Sequence, residues 1–143
     1  MLKFFPIIFI MLSCSSTIPK ETLDTTFSII YKSEMGGTEN AGHILIQNNE
    51  SYIRFIESLK LEESQFAKFL AVDFKKKDVL VLYQGQKNSG GYEIDIESLK
   101  NENQTIIVKK KELVPQKGEM TTSVITSPYC IALIPKGKKV IIE

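Results

Sequence analysis

The chain has no Trp, one His (His43), and two Cys, at positions 14 and 130. Each scarcity removes a class of chemistry. A zinc site needs three or four Cys, His or carboxylate ligands, and a lone His43 with no Cys-x-x-Cys pair cannot assemble one. No metal site is therefore expected. A Ser–His–acid or Cys–His nucleophile would have to borrow the same imidazole, and no Ser stands in a nucleophile-elbow pattern. The expectation is a chain without catalytic residues, in which His43 is a strand-end side chain. Glu93, Asp95 and Glu97 alternate and could pair carboxylates for glycoside hydrolysis, but no Trp is present to stack a sugar. They read better as a solvated strand face.

Charge of one sign is also lacking. Eighteen Lys and Arg oppose seventeen Asp and Glu, so no net field draws the chain to nucleic acid. The basic bunches Lys75-Lys76-Lys77, Lys109-Lys110-Lys111 and Lys136 with Lys138 and Lys139 read as solvated loop and edge-strand charges. The glycine-rich Gly85 to Gly91 has no Gly-Lys-Ser/Thr ending and opens no helix, so no nucleotide is expected there and no cofactor anywhere. Internal repeats and low-complexity blocks are missing too. No apolar run reaches the roughly twenty residues that cross a bilayer.

What is there begins at the N-terminus. Lys3 followed by the apolar stretch Phe4 to Leu12 has the order of a secretory signal. The residues Met11-Leu12-Ser13-Cys14 then resemble the bacterial lipobox, with Met11 where that motif usually carries Leu. The resemblance implies diacylglyceryl attachment to Cys14 and cleavage before it, giving a membrane-anchored envelope protein. Signal cleavage after Ser15 is the alternative, and its product would be soluble. On the first reading residues 1–13 are the signal, 14–26 a lipidated Ser/Thr-rich tether, and 27–143 one domain. With Cys14 acylated, Cys130 is left alone in an apolar stretch and is expected as a buried strand side chain.

Along the domain, short hydrophobic segments are spaced by turn residues. Phe27 to Tyr31 and His43 to Gln47 read as strands. Asn48, Asn49 and Ser51 offer caps to a helix whose face is Tyr52, Ile53, Phe55, Ile56 and Leu59. A shorter helical set follows at Phe66, Phe69 and Leu70. Val79 to Tyr83 is continuously apolar and is expected as a central strand buried on both faces. Gly85 to Gly91 should turn it back as a hairpin into the alternating strand Tyr92, Ile94, Ile96. Thr105 to Lys109, Thr121 to Ile125, Tyr129 to Ile134 and Lys139 to Ile142 complete the strands, with a loop over Glu112 to Gly118. The fold class is α+β: a largely antiparallel sheet, with curling into an open barrel as an option, and one or two helices near the N-terminus.

Several of these residues carry a resemblance. Val72-Asp73-Phe74, the strand running into Tyr83-Gln84-Gly85-Gln86, Ser89-Gly90-Gly91-Tyr92-Glu93-Ile94, and Ser127-Pro128-Tyr129 leading into Cys130 to Pro135 together resemble the C-terminal domain of the protease complex subunit PrcB, over about Phe66 to Lys136. The resemblance implies a non-catalytic lipoprotein that associates with a secreted, subtilisin-like protease and aids its maturation or stability. Asn88-Ser89-Gly90-Gly91-Tyr92 is also similar to a loop of chagasin-type cysteine-protease inhibitors, although those carry a Trp after the Tyr. The expected partner-binding residues are Gly85, Asn88, Ser89, Gly90, Gly91, Tyr92, Pro128 and Tyr129. They would act by adding a strand edge or by inserting a loop into a cleft. The competing reading is that they only fix turns and pack the core.

Overall fold

In a computed structural model the described residues are 25–143 with the exception of residue 70. The expected signal peptide, Cys14 and the tether as far as residue 24 lie outside them, as does Leu70 of the second helical set. The elements run β1 (Ser28–Ser33), β2 (Gly42–Ile46), α1 (Asn49–Ser58), α2 (Glu63–Phe66), β3 (Lys77–Tyr83), β4 (Glu93–Glu102), β5 (Thr105–Leu113), β6 (Tyr129–Pro135) and β7 (Lys139–Ile142). They form two sheets, with strand orders β1-β6-β3-β2 and β4-β5-β7. The fold is α+β, and both sheets keep their edges rather than closing into a barrel.

β3 is continuously apolar because it serves two cores. Leu80 and Leu82 point with Cys130, Ala132 and Ile134 of β6 at Ile94, Ile96, Leu99, Ile106 and Val108 of the second sheet. Val79, Val81 and Tyr83, with Tyr129 and Ile131, point the other way at Tyr52, Phe55, Ile56, Leu59, Phe69 and Phe74. The layers are helices, sheet, sheet. Full burial of each such aliphatic side chain stabilises the domain by about 1.5–3 kcal/mol. α1 starts where its cap requires: Asn48 has extended backbone and its Oδ1 accepts from the Ser51 N–H at 2.9 Å, which satisfies one of the orphan donors of the first turn.

Two expectations of strand pairing are corrected. β3 and β4 do not form a hairpin, because β3 already has β2 on one side and β6 on the other. The Gly85 to Gly91 segment instead carries the chain across to the second sheet, where β4 pairs with β5. Thr121 to Ile125 is not a strand either. Only the neighbouring Thr126 makes a β-bridge, with Lys87, and Val124 and Ile125 stay exposed. The antiparallel pattern has one exception, the parallel pair β5–β7. It arises because β6 runs back through the other sheet before β7 returns.

The alternation in β4 sends Ile94 and Ile96 inward, and a register shift between Ile96 and Ser98 then brings Leu99 inward as well. The acidic face opposite is not merely solvated. Lys32 of β1 reaches across the open side of the sandwich to Glu93 and, at 2.8 Å, to Asp95, while Lys109 pairs with Glu97 at 2.6 Å. Exposed pairs of this kind are screened by solvent and add little to stability.

Cys130 is fully buried in β6, and burial pushes its thiol up to about 12. The thiol is therefore protonated and inert at neutral pH. An aromatic disulfide reagent should leave it unlabelled in the native protein and label it on denaturation. An unfolded thiol ionises near its ordinary value of 9.0, so the folded state holds the extra proton and this contribution to stability declines as pH rises above about 9. Fast native labelling at pH 7.5 would contradict the burial.

Candidate functional site

Three connections meet at one end of the sandwich: residues 34–41 between β1 and β2, 84–92 between β3 and β4, and 114–128 between β5 and β6. The strand registers place them together, since Ser33 and Tyr83 both lie beside Tyr129, Gly42 lies beside Tyr83, and Leu113 lies beside Glu93. Backbone bonds knit them into one body. Gln84 N donates to Pro128 O at 3.0 Å, Gln86 N to Glu39 O at 2.9 Å, and Gly90 N to Thr122 O at 3.0 Å. Lys87 and Thr126 exchange bonds at 2.8 and 3.0 Å, and Ser127 takes part in two more, from its N to Glu34 O and from Gly37 N to its O, both at 2.9 Å. These bonds tie the three connections to one another at several points, satisfying backbone groups that three separate loops would leave to water.

Two glycines let the loops close on one another. Gly85 has φ +81°, and a Cβ there would sit 2.8 Å from the Ala41 nitrogen. Gly91 has φ +86°, and a Cβ would sit 2.9 Å from Pro115 Cγ. Both conformations are ones that side chains with a Cβ rarely adopt. Beneath them lies an aromatic floor. Tyr129 packs against Tyr31 and Tyr83 with ring centroids 6.0 and 6.3 Å apart, and burial pushes its phenol up to about 12. Gln84 is buried alongside, its Nε2 donating to Leu113 O at 3.1 Å.

The expected partner-binding residues therefore divide. Gly85, Asn88, Ser89, Gly90, Gly91 and Tyr92 are brought together in the 84–92 crossing, but Gly85 and Gly90 are buried, while Asn88 and Gly91 reach solvent. Tyr92 is half-buried beneath the Lys87 ammonium, 5.5 Å from its ring centroid. Pro128 and Tyr129 lie inside the fold and pack the core beneath the loops. Among its polar residues this end also presents apolar side chains: Met120 is 98% exposed, Val114 60%, Ile125 59%, Met35 52% and Val124 45%. Sequence reasoning missed these residues. The available signal was an excess of aliphatic side chains in a stretch otherwise marked as loop by Pro115 and Gly118. Between the loops, Gly37, Glu39, Gln86 and Ser127 line a shallow polar groove of about 370 Å³.

Among the described residues no three His, Cys, Asp or Glu side chains gather as metal ligands. His43 sits on exposed β2, opposite Leu82. No described helix is long and apolar enough to cross a membrane.

Residues 79–135 match the family model described as PrcB C-terminal. The match runs from β3 to β6 and so takes in two of the three loops at this end, within the wider stretch where the sequence resembles that family. No curated protein and no solved structure matches the chain.

Proposed function

We propose that the chain is a non-catalytic, lipid-anchored envelope protein whose loop end binds a secreted protease and supports its maturation or stability; the match of residues 79–135 to the family model described as PrcB C-terminal supports a protease-associated role in general. The observation that carries the reading is the loop end itself. Backbone bonds tie its connections together, and it presents Met120, Val124 and Ile125 to solvent; exposed apolar side chains are what a protein partner covers. Polarity of the molecule favours the same arrangement. The described chain begins at Thr25 and enters β1 at Ser28, beside Leu133, at the opposite end of strands that span roughly 20 Å. A domain tethered through Cys14 would thus hold its loop end away from the bilayer.

The test is co-purification from the native envelope with the full chain as bait, followed by identification of bound proteases. The triple variant Met120→Ser, Val124→Ser, Ile125→Ser should recover far less protease, because covering these side chains is worth on the order of 3 kcal/mol, about a hundredfold in affinity. Its thermal midpoint should hardly move, since all three are exposed. Adding wild-type chain to the recovered protease should prolong its activity. Dose-dependent loss of activity would favour the inhibitor reading instead, and recovery of no protease by the wild type would remove the proposal.

A further inference from the structure

The end of the sandwich opposite the loops has its own character. Lys75, Lys76 and Lys77 precede β3, while Lys136, Lys138 and Lys139 lie between β6 and the start of β7. These two groups are some sixty residues apart in the chain, and the fold joins them. Lys136 N donates to Lys76 O at 3.0 Å, Lys77 lies beside Pro135, Lys138 N donates to Gln104 O at 2.8 Å, and Lys139 lies beside Thr105. Lys75, Lys76, Lys138 and Lys139 are exposed, and among the described residues no carboxylate forms an ion pair with any of them.

The acids nearby do not neutralise this face. Asp78 is fully buried and bonded to Lys136 at 3.3 Å and Gln47 at 3.2 Å. Asp73 accepts the Lys75 backbone N–H at 3.1 Å and keeps its charge. Glu50 is paired with Arg54 at 3.3 Å, so Asp73 and Glu102, at the exposed end of β4, stand against four exposed lysines. Like charges kept side by side without counter-ions repel one another, so an anionic surface that accepts them all at once is favoured over isolated ions. This is also the end at which the chain enters the domain: the Lys77 ammonium reaches Thr26 O at 3.4 Å.

We propose that the face formed by Lys75, Lys76, Lys138 and Lys139 rests on the headgroups of anionic phospholipids, seating the domain on the membrane with its loop end outward. The proposal rests on the anchoring read at Cys14 only for how the domain arrives there; the contact belongs to the four side chains. Basic side chains at an anionic leaflet each raise binding about fivefold, and the attraction fades beyond a Debye length of about 10 Å at 0.1 M salt.

The test uses the full chain carrying Cys14→Ser, which cannot be acylated, sedimented with vesicles of zwitterionic lipid or of zwitterionic lipid with one-third anionic lipid. Any partitioning of the apolar N-terminal residues is common to both. Anionic vesicles should bind better by at least about fiftyfold, with the advantage fading as NaCl rises. Lys75→Gln, Lys76→Gln, Lys138→Gln, Lys139→Gln should abolish that advantage. Lys109→Gln, Lys110→Gln, Lys111→Gln, Lys117→Gln removes the same charge elsewhere and should keep most of it. Equal binding to both vesicles, equal loss in both variants, or displacement by inorganic phosphate beyond that of NaCl at matched ionic strength would each overturn the proposal. The mass of wild-type chain from the native envelope decides acylation separately, so the two readings fail independently.

Discussion

Gly85→Ala should lower the stability of the domain by about 3 kcal/mol, combining roughly 1–2 kcal/mol for a left-handed backbone with about 1–3 kcal/mol for overpacking. Both terms have named causes. The backbone is at φ +81°, and the new methyl would lie 2.8 Å from Ala41 N and 3.2 Å from Glu39 O. These are main-chain atoms that cannot swing aside, and Glu39 O is already held by Gln86 N. Two other glycines separate the terms. Gly118 has φ +90° with open space around it, and Gly42 has neither positive φ nor a neighbour within 4 Å. Thermal unfolding should therefore rank Gly42→Ala near wild type, Gly118→Ala a few degrees lower, and Gly85→Ala lower by about 10 °C or more. A Gly85→Ala midpoint equal to that of Gly118→Ala would show that the 34–41 and 84–92 connections are not packed as described.

Leu80→Ala should cost about 2–5 kcal/mol, as buried leucines do when a cavity is left behind. Leu80 is fully buried between Leu45 and Ala132 on the central strand of its sheet and faces the second sheet. The space it would vacate is bounded by backbones hydrogen-bonded on both sides, so little collapse is available to refill it. Denaturant unfolding should show a lower midpoint with an unchanged slope. A loss below about 1 kcal/mol would mean that the two sheets are not in close contact. A domain stable by 5–15 kcal/mol can be unfolded by one or two such changes, so protease recovery is best compared only among variants with near-native melting.

The two ends of the molecule are specialised in opposite ways. One carries exposed apolar side chains on three connected loops, the other is basic and next to the point where the chain enters. A two-layer sandwich makes this possible because its long axis separates the loops of one end from those of the other by the length of the strands. The antiparallel pattern of the first sheet then decides which connections fall at which end.

Much of this was legible in the residues. The unbroken Val79 to Tyr83 announces two buried faces, the Asn48 cap marks the start of α1, and the apolar stretch around Cys130 reads as a buried strand. The family motifs around Gly85, Gly91 and Pro128-Tyr129 were also visible, but their roles were not. Gly85 and Gly91 do demand special backbone, as glycines in such a segment suggest, yet they serve a crossing between sheets and not a hairpin. Pro128 and Tyr129 stand in the core, and of the exposed apolar side chains only Val124 and Ile125 lie in the segment expected to be a strand.

Periodicity along the chain by itself determined, for the core strands and for α1, how many faces each buries and whether it coils or extends, because those properties follow from side chains a few residues apart. Which strand lies beside which, which glycine is crowded, and which lysines share a surface were decided only by the tertiary structure. A strand edge accepts one neighbour, and what occupies it depends on every other strand competing for the same hydrogen bonds and the same core.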